Sequence, residues 1–198
     1  MYTIDMKENK VILKVNKEFN GFDLMDYFLS YHINKSVINN LINNKKIKIN
    51  NEIIKHNKYN LTCNDEIEIL FEVEDIKPYK KEVFVIYEDE HIIVVNKQAN
   101  ILVHEDGNTT DTLTNAVSYY LTQNKKCGYA YPIHRLDYET TGIVIFAKNR
   151  LALSFLSVSI ENYEVKKEYV CLCDGLFSKL EGIIKNPIGK DRHSNKQI

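Results

Sequence analysis

No apolar run in the sequence approaches the roughly 20 residues needed to span a bilayer. Met1 to Lys10 contain no apolar signal core. Neither a membrane anchor nor export is therefore expected. The seven glycines form no Gly-x-Gly-x-x-Gly run and no Walker sequence, so a nucleotide cofactor has no support. Cysteine is sparse: Cys63 and Cys127 stand alone, while Cys171 and Cys173 alternate in an expected strand. None has a metal-ligand spacing. No metal is expected, the Cys-x-Cys pair reads as buried small apolar residues, and a reduced cytoplasmic setting fits. An excess of positive charge is also missing. A formal net charge of −1 argues against a globally basic nucleic-acid binder.

What is present is an ordinary globular composition, 44% apolar and 27% charged over 198 residues. That length allows one large domain or two small ones. Charge is unevenly spread. Residues 1–63 hold ten lysines against six acids. The acids Asp65, Glu66, Glu68, Glu72, Glu74 and Asp75 then crowd together. A mildly basic N-terminal part joined to a more acidic body points to an anionic partner, although a solvated Asn- and Lys-rich surface has the same composition.

Periodicity divides the chain further. Val37, Ile38, Leu41 and Ile42 make an apolar stripe, predicting a short helix over Ser36 to Asn43 after an earlier one over Phe22 to Ser30. Ile47 and Ile49 alternate with lysines as in a half-buried strand. Asn50-Asn51 reads as a hairpin turn, because Asn tolerates positive φ. Ile67, Ile69 and Phe71 close this part as another strand. A charged connection, Glu72 to Glu82 with Pro78, follows. Val83–Tyr87 and His91–Val95 predict two strands around Glu88-Asp89-Glu90. Leu113, Ala116, Val117, Tyr120 and Leu121 fit one helix face with Asp111 placed to cap it. A further helix is expected over Arg150 to Glu161, with Leu151, Phe155 and Val158 on one side. The order of elements is α+β rather than a series of βαβ crossovers.

The densest chemistry lies in His134-Arg135-Leu136-Asp137-Tyr138-Glu139-Thr140-Thr141-Gly142, followed by Ile143–Ala147. Pro132 disfavours helix just before it. The apolar, β-branched run after Gly142 reads as a strand buried on both faces. The motif is thus a loop entering a sheet, where reactive groups commonly sit. Thr140 and Thr141 can bond locally to backbone, and Arg135 is a cation near Asp137. An arbitrary aspartate in a polar loop is normally a turn cap. Here several residues of different chemistry coincide, which favours a reactive role.

This string resembles the signature of the large-subunit rRNA and tRNA family of RNA pseudouridine synthases (RluA-like), His-Arg-Leu-Asp-x-x-Thr-Ser-Gly, with Thr141 in place of Ser. Tyr87-Glu88-Asp89 and Asn96-Lys97 resemble the family's opening block, although Gln98-Ala99-Asn100 replaces its Pro-x-Gly turn. Lys166–Gly175 resembles its second block, with Tyr169, Cys171 and Cys173 on one face of a strand. The N-terminal pattern resembles an S4 RNA-binding domain in rhythm, with Asn50-Asn51 for the usual Asn-Gly.

The resemblance implies an α+β chain: an S4-like RNA-binding domain at 11–73, a linker at 74–82, and a mixed α/β pseudouridine synthase catalytic domain from 83 to 198. It implies Asp137 as the catalytic carboxylate, Arg135 filling the space left by a flipped nucleotide, and Tyr169 packing on the target base. His134, Thr140 and Thr141 would support the loop. Lys35, Lys45, Lys46 and Lys48 would contact phosphates. RNA is the implied partner, rRNA ahead of tRNA, with no cofactor, no membrane and no obligate protein partner. The family's later Thr-Gly-Arg-Thr-His-Gln-Ile-Arg motif is not in these 198 residues. The expectation is therefore a C-terminally truncated synthase whose catalytic domain is incomplete and whose Asp137 lacks its arginine partner. Two other readings stand beside it: a non-catalytic S4-type RNA-binding protein, and a carboxylate hydrolase using Asp137 and Glu139.

Overall fold

The computed structural model describes residues 2–5, 10–71, 77–124, 129–176, 178–179, 181–187 and 189. The chain forms two compact units, residues 1–165 and 166–198. The first contains two antiparallel sheets and four α-helices, a mixed α/β architecture.

The N-terminal sheet has strands β1 (Tyr2–Asp5), β2 (Lys10–Lys14), β3 (Ile47–Ile49), β4 (Glu52–Ile53) and β5 (Glu66–Leu70) in the order β1-β2-β5-β3-β4. Alternation decides its faces. The register pairs Val11 with Ile69, Leu13 with Ile67, Ile47 with Ile69 and Ile49 with Ile67, and all six side chains are buried. Helices α1 (Leu24–Ser30) and α2 (Lys35–Asn43) cover that face through Leu24, Tyr27, Phe28, Ile38, Leu41 and Ile42. Asp23 caps α1 by accepting from the Met25 N–H at 2.8 Å. Asn34 does the same for α2 from Val37 at 3.0 Å. Between β3 and β4, Asn50 and Asn51 have φ of 50° and 70°. This is the primed geometry that matches a two-residue hairpin. On the opposite face, Glu68 receives Lys10 at 2.7 Å and Lys48 at 2.9 Å.

The second sheet is β6 (Val85–Glu88), β7 (Ile92–Lys97), β9 (Gly142–Ala147) and β8 (Tyr131–Pro132), in that spatial order. Ile93, Val95, Val144 and Phe146 pack with Leu113, Val117 and Leu121 of α3 (Leu113–Gln123). Thr112, not Asp111, caps α3, since the helix starts one residue later than the expected cap requires. Helix α4 (Arg150–Glu161) packs against β8 and β9. Asn149 caps it by accepting from the Ala152 N–H at 2.9 Å. Burial of β9 on both faces is not found. Val144 and Phe146 point inward, whereas Ile143 remains 56% exposed.

In the second unit, the described residues contain no helix or strand. The strand expected over Lys166–Gly175 is absent: a strand needs a pairing partner, and no described strand pairs with it. Its alternation survives only locally, with Cys171 and Cys173 Sγ atoms 3.6 Å apart. Both are exposed rather than buried. Cys127, Lys125-Lys126 and residues 72–76 of the expected linker lie outside the described residues.

Candidate active site

The sequence motif occupies a loop between β8 and β9. Its anchor is Leu136, 8% exposed and packed into the second core. Burying that one side chain puts its neighbours Arg135 and Asp137 on the surface. The Thr140 N–H donates to the Asp137 carbonyl at 3.1 Å, closing a tight turn over 137–140. The loop then enters β9 through Gly142 at φ 128°, a backbone conformation that a side chain would strain. Space is not the constraint there. A Cβ on Gly142 would meet only Leu136 Cδ1, at 3.9 Å.

Two further ties hold the loop to the sheet. The Ile145 N–H donates to His134 Nε2 at 3.2 Å, joining the start of the motif to β9. The Asn100 N–H donates to the Tyr138 carbonyl at 2.9 Å, with Asn100 itself at φ 62°. Thr140 is half-buried and Thr141 exposed.

Beneath the turn lies a residue given no role in the sequence reading. Lys97, at the end of β7, is fully buried. Its ammonium donates to the carbonyls of Thr140 at 2.7 Å, Tyr138 at 3.0 Å and Gln98 at 3.2 Å. An ammonium has three protons, so these acceptors can use all of them. Burial lowers the Lys97 pKa, and the negative charge of Asp137 pulls it back up. A cation is thus held under the loop that displays the aspartate. A signal for it did exist: period two places positions 93, 95 and 97 on the same inward face, and the third is a lysine.

The other expected site residues are placed as follows. Lys35 opens α2, Lys45 follows that helix at φ 56°, and Lys46 precedes β3. Lys35 and Lys45 are exposed and Lys46 half-buried. Lys48 is bound to Glu68 and is not a free cation. Tyr169 belongs to the second unit and is 63% exposed there. No group of three His, Cys, Asp or Glu among the described residues could hold a metal ion. No described helix is long and apolar enough to cross a membrane.

Comparison with known proteins gives a consistent result. The family model described as RNA pseudouridylate synthase matches residues 91–198. A protein of Bacillus subtilis named as the uncharacterized RNA pseudouridine synthase YhcT is 33% identical over 163 residues, 80% of this chain and 53% of its own. Ribosomal large subunit pseudouridine synthase D of Haemophilus ducreyi is 31% identical over 160 residues, covering 79% of this chain and 48% of its own. An uncharacterized RNA pseudouridine synthase of Aquifex aeolicus is 35% identical over 128 residues, 63% of this chain and 40% of its own. The chain spans about half the length of the curated relatives it matches.

Proposed function

The chain belongs to the RNA pseudouridylate synthase family, and on that footing we propose that it isomerises uridines in structured, ribosomal RNA, with Asp137 as the reacting carboxylate. The observation that carries this reading is the motif loop. Leu136 and Lys97 clamp it from below, and Asp137 faces outward from it. A carboxylate carried on a tied backbone and open to solvent suits a substrate that arrives from outside.

The reaction breaks the bond from uracil N1 to ribose C1′, turns the base, and forms a bond from C5 to C1′. C5 gives up a proton and N1 gains one, so the change is an isomerisation needing no oxidant, reductant or metal. A base stacked in a helix cannot turn. It must be extruded, at a cost of a few kcal/mol that pocket contacts offset. Asp137 can attack the ribose, take a proton from it, or add to the ring. Arg135, adjacent on the same surface, fills the space that the extruded nucleotide leaves. Tyr169 offers a ring to the base, while His134, Thr140 and Thr141 keep the loop in shape.

The N-terminal part, 11–73, acts as an S4-like RNA-binding domain joined through 74–82 to the catalytic part at 83–198. Lys35, Lys45 and Lys46 supply its phosphate contacts, which give affinity without sequence information. Lys48 contributes less, being neutralised by Glu68. Ribosomal RNA is favoured over tRNA because relatives such as that of Haemophilus ducreyi are named for the large ribosomal subunit. A cytoplasmic location goes with that substrate.

The test is to incubate the chain with rRNA and map pseudouridine. Product with the native chain and none with Asp137→Asn supports the assignment. RNA binding without product from the native chain favours the non-catalytic reading instead.

A further inference from the structure

Within residues 1–165 a cleft of about 410 Å³ opens between the N-terminal sheet and α4. It falls within the roughly 300–1,000 Å³ range of sites that hold small organic groups. No residue of the 134–142 loop lines it. Its apolar wall includes Tyr27, Tyr31 and Phe155. Tyr27 is buried and meets Tyr31 edge to face, with ring centres 5.2 Å apart. Tyr31 and Phe155 are 40% and 50% exposed, so two rings stand open at this site. Lys14, Asn16 and Asn149 add polar groups to the lining.

We propose that this cleft takes one unpaired nucleotide of the bound RNA, outside the site of reaction. The inference rests on the RNA reading above and names a second contact for the same substrate. Asn149 is the group that selects a nucleobase over a purely apolar occupant. Its Oδ1 caps α4, and its Nδ2 is shielded from solvent with no hydrogen-bond partner among the described residues, so an acceptor reaches it only when the groups over it shift. An orphaned buried donor is destabilising until an acceptor reaches it. A base carbonyl is such an acceptor, and its flat face suits the open rings. Lys14 is exposed beside them and suits the phosphate. Asp89 also lines the cleft, but its carboxylate is occupied by the N–H groups of His91 and Ile92 and by the Tyr87 hydroxyl.

The experiment uses the full chain and a short oligouridylate carrying 5-bromouridine. Binding is measured at several salt concentrations, and photo-cross-links are mapped to peptides. Asn149→Thr and Asn149→Ser both keep a capping oxygen for α4 while removing the amide donor and adding no charge. Phe155→Ala removes an open ring. Phe155→Ala, through the lost stacking, and the Asn149 variants, through the lost donor, should each weaken binding by about tenfold with the salt slope unchanged. Cross-links should fall on peptides containing Tyr31 or Phe155. Native affinity in all three variants, or cross-links confined to other peptides while pseudouridine still forms, overturns the cleft and leaves the proposed function standing. A concentration-dependent dimer blocked by Phe155→Ala, with RNA affinity unchanged, also overturns it by assigning the cleft to a second copy. Failure of the native chain to bind any RNA overturns this inference and the proposed function together.

Discussion

Replacing Lys97 with methionine removes the cation beneath the motif while keeping a long apolar stem. Three carbonyls lose a donor: those of Gln98, Tyr138 and Thr140. Tyr138 retains its bond from the Asn100 N–H, so two carbonyls are left unsatisfied. Each costs about 1–3 kcal/mol. Against this, the variant no longer buries an ammonium, which relieves a penalty of several kcal/mol. The two terms are of similar size and largely cancel, so Tm should shift by no more than about 2–4 °C, the change that roughly 1 kcal/mol gives in a chain of this length. The effect on the loop should exceed the effect on the fold, because the released turn is the one that positions Asp137. A displacement of about 1 Å at a reacting group can cost 10²-fold in rate. Thermal melting, hydrogen exchange at the Thr140 amide, and single-turnover pseudouridine formation read the three levels separately. Faster exchange at Thr140 with turnover reduced about a hundredfold is the expected result. Native exchange and native turnover in Lys97→Met would refute the claim that this lysine holds the loop.

Gly142→Ala should cost about 1–3 kcal/mol through backbone strain at φ 128°, despite the room for a methyl group, and a melting curve reads it directly. Glu68 gives a pH test. The hydrogen bond from Lys10 holds its carboxyl below the ordinary 4.5, outweighing the opposite push from burial, and Lys48 adds to the effect. With the folded pKa depressed, the unfolded chain takes up the proton first as pH falls. The stabilisation is therefore whole above about pH 4.5 and is lost below it. Urea denaturation across that range should show stability falling with acid, with a shallower fall in Glu68→Gln.

Much of the fold was legible from local pattern. The alternation of Ile67 and Ile69 and the stripe of Ile38, Leu41 and Ile42 place their elements because burial on one face imposes the period. Asn50-Asn51 marks its turn because few other residues accept positive φ twice running. The misses arise where the outcome depends on a distant partner. Lys166–Gly175 alternates like a strand, yet strand formation requires pairing that its own residues do not encode. Ile143 belongs to an apolar run but sits on the face of β9 where its own position is left uncovered. The cap of α3 slipped from Asp111 to Thr112, since both types cap and only the helix start separates them. At the candidate site, the motif itself was plain in the letters, and Lys97 was visible only by phase. The pairing of Lys48 with Glu68 was not visible at all, because it joins strands 20 positions apart through a register set by the whole sheet.

The most direct test of the central claim is pseudouridine mapping on rRNA treated with the native chain and with Asp137→Asn, alongside RNA-binding and melting measurements on both. Asp137 is exposed and its charge favours the buried Lys97 ammonium, so the substitution should lower the melting temperature slightly and leave binding unchanged while abolishing the product. Pseudouridine formed by Asp137→Asn at the native rate would contradict the account.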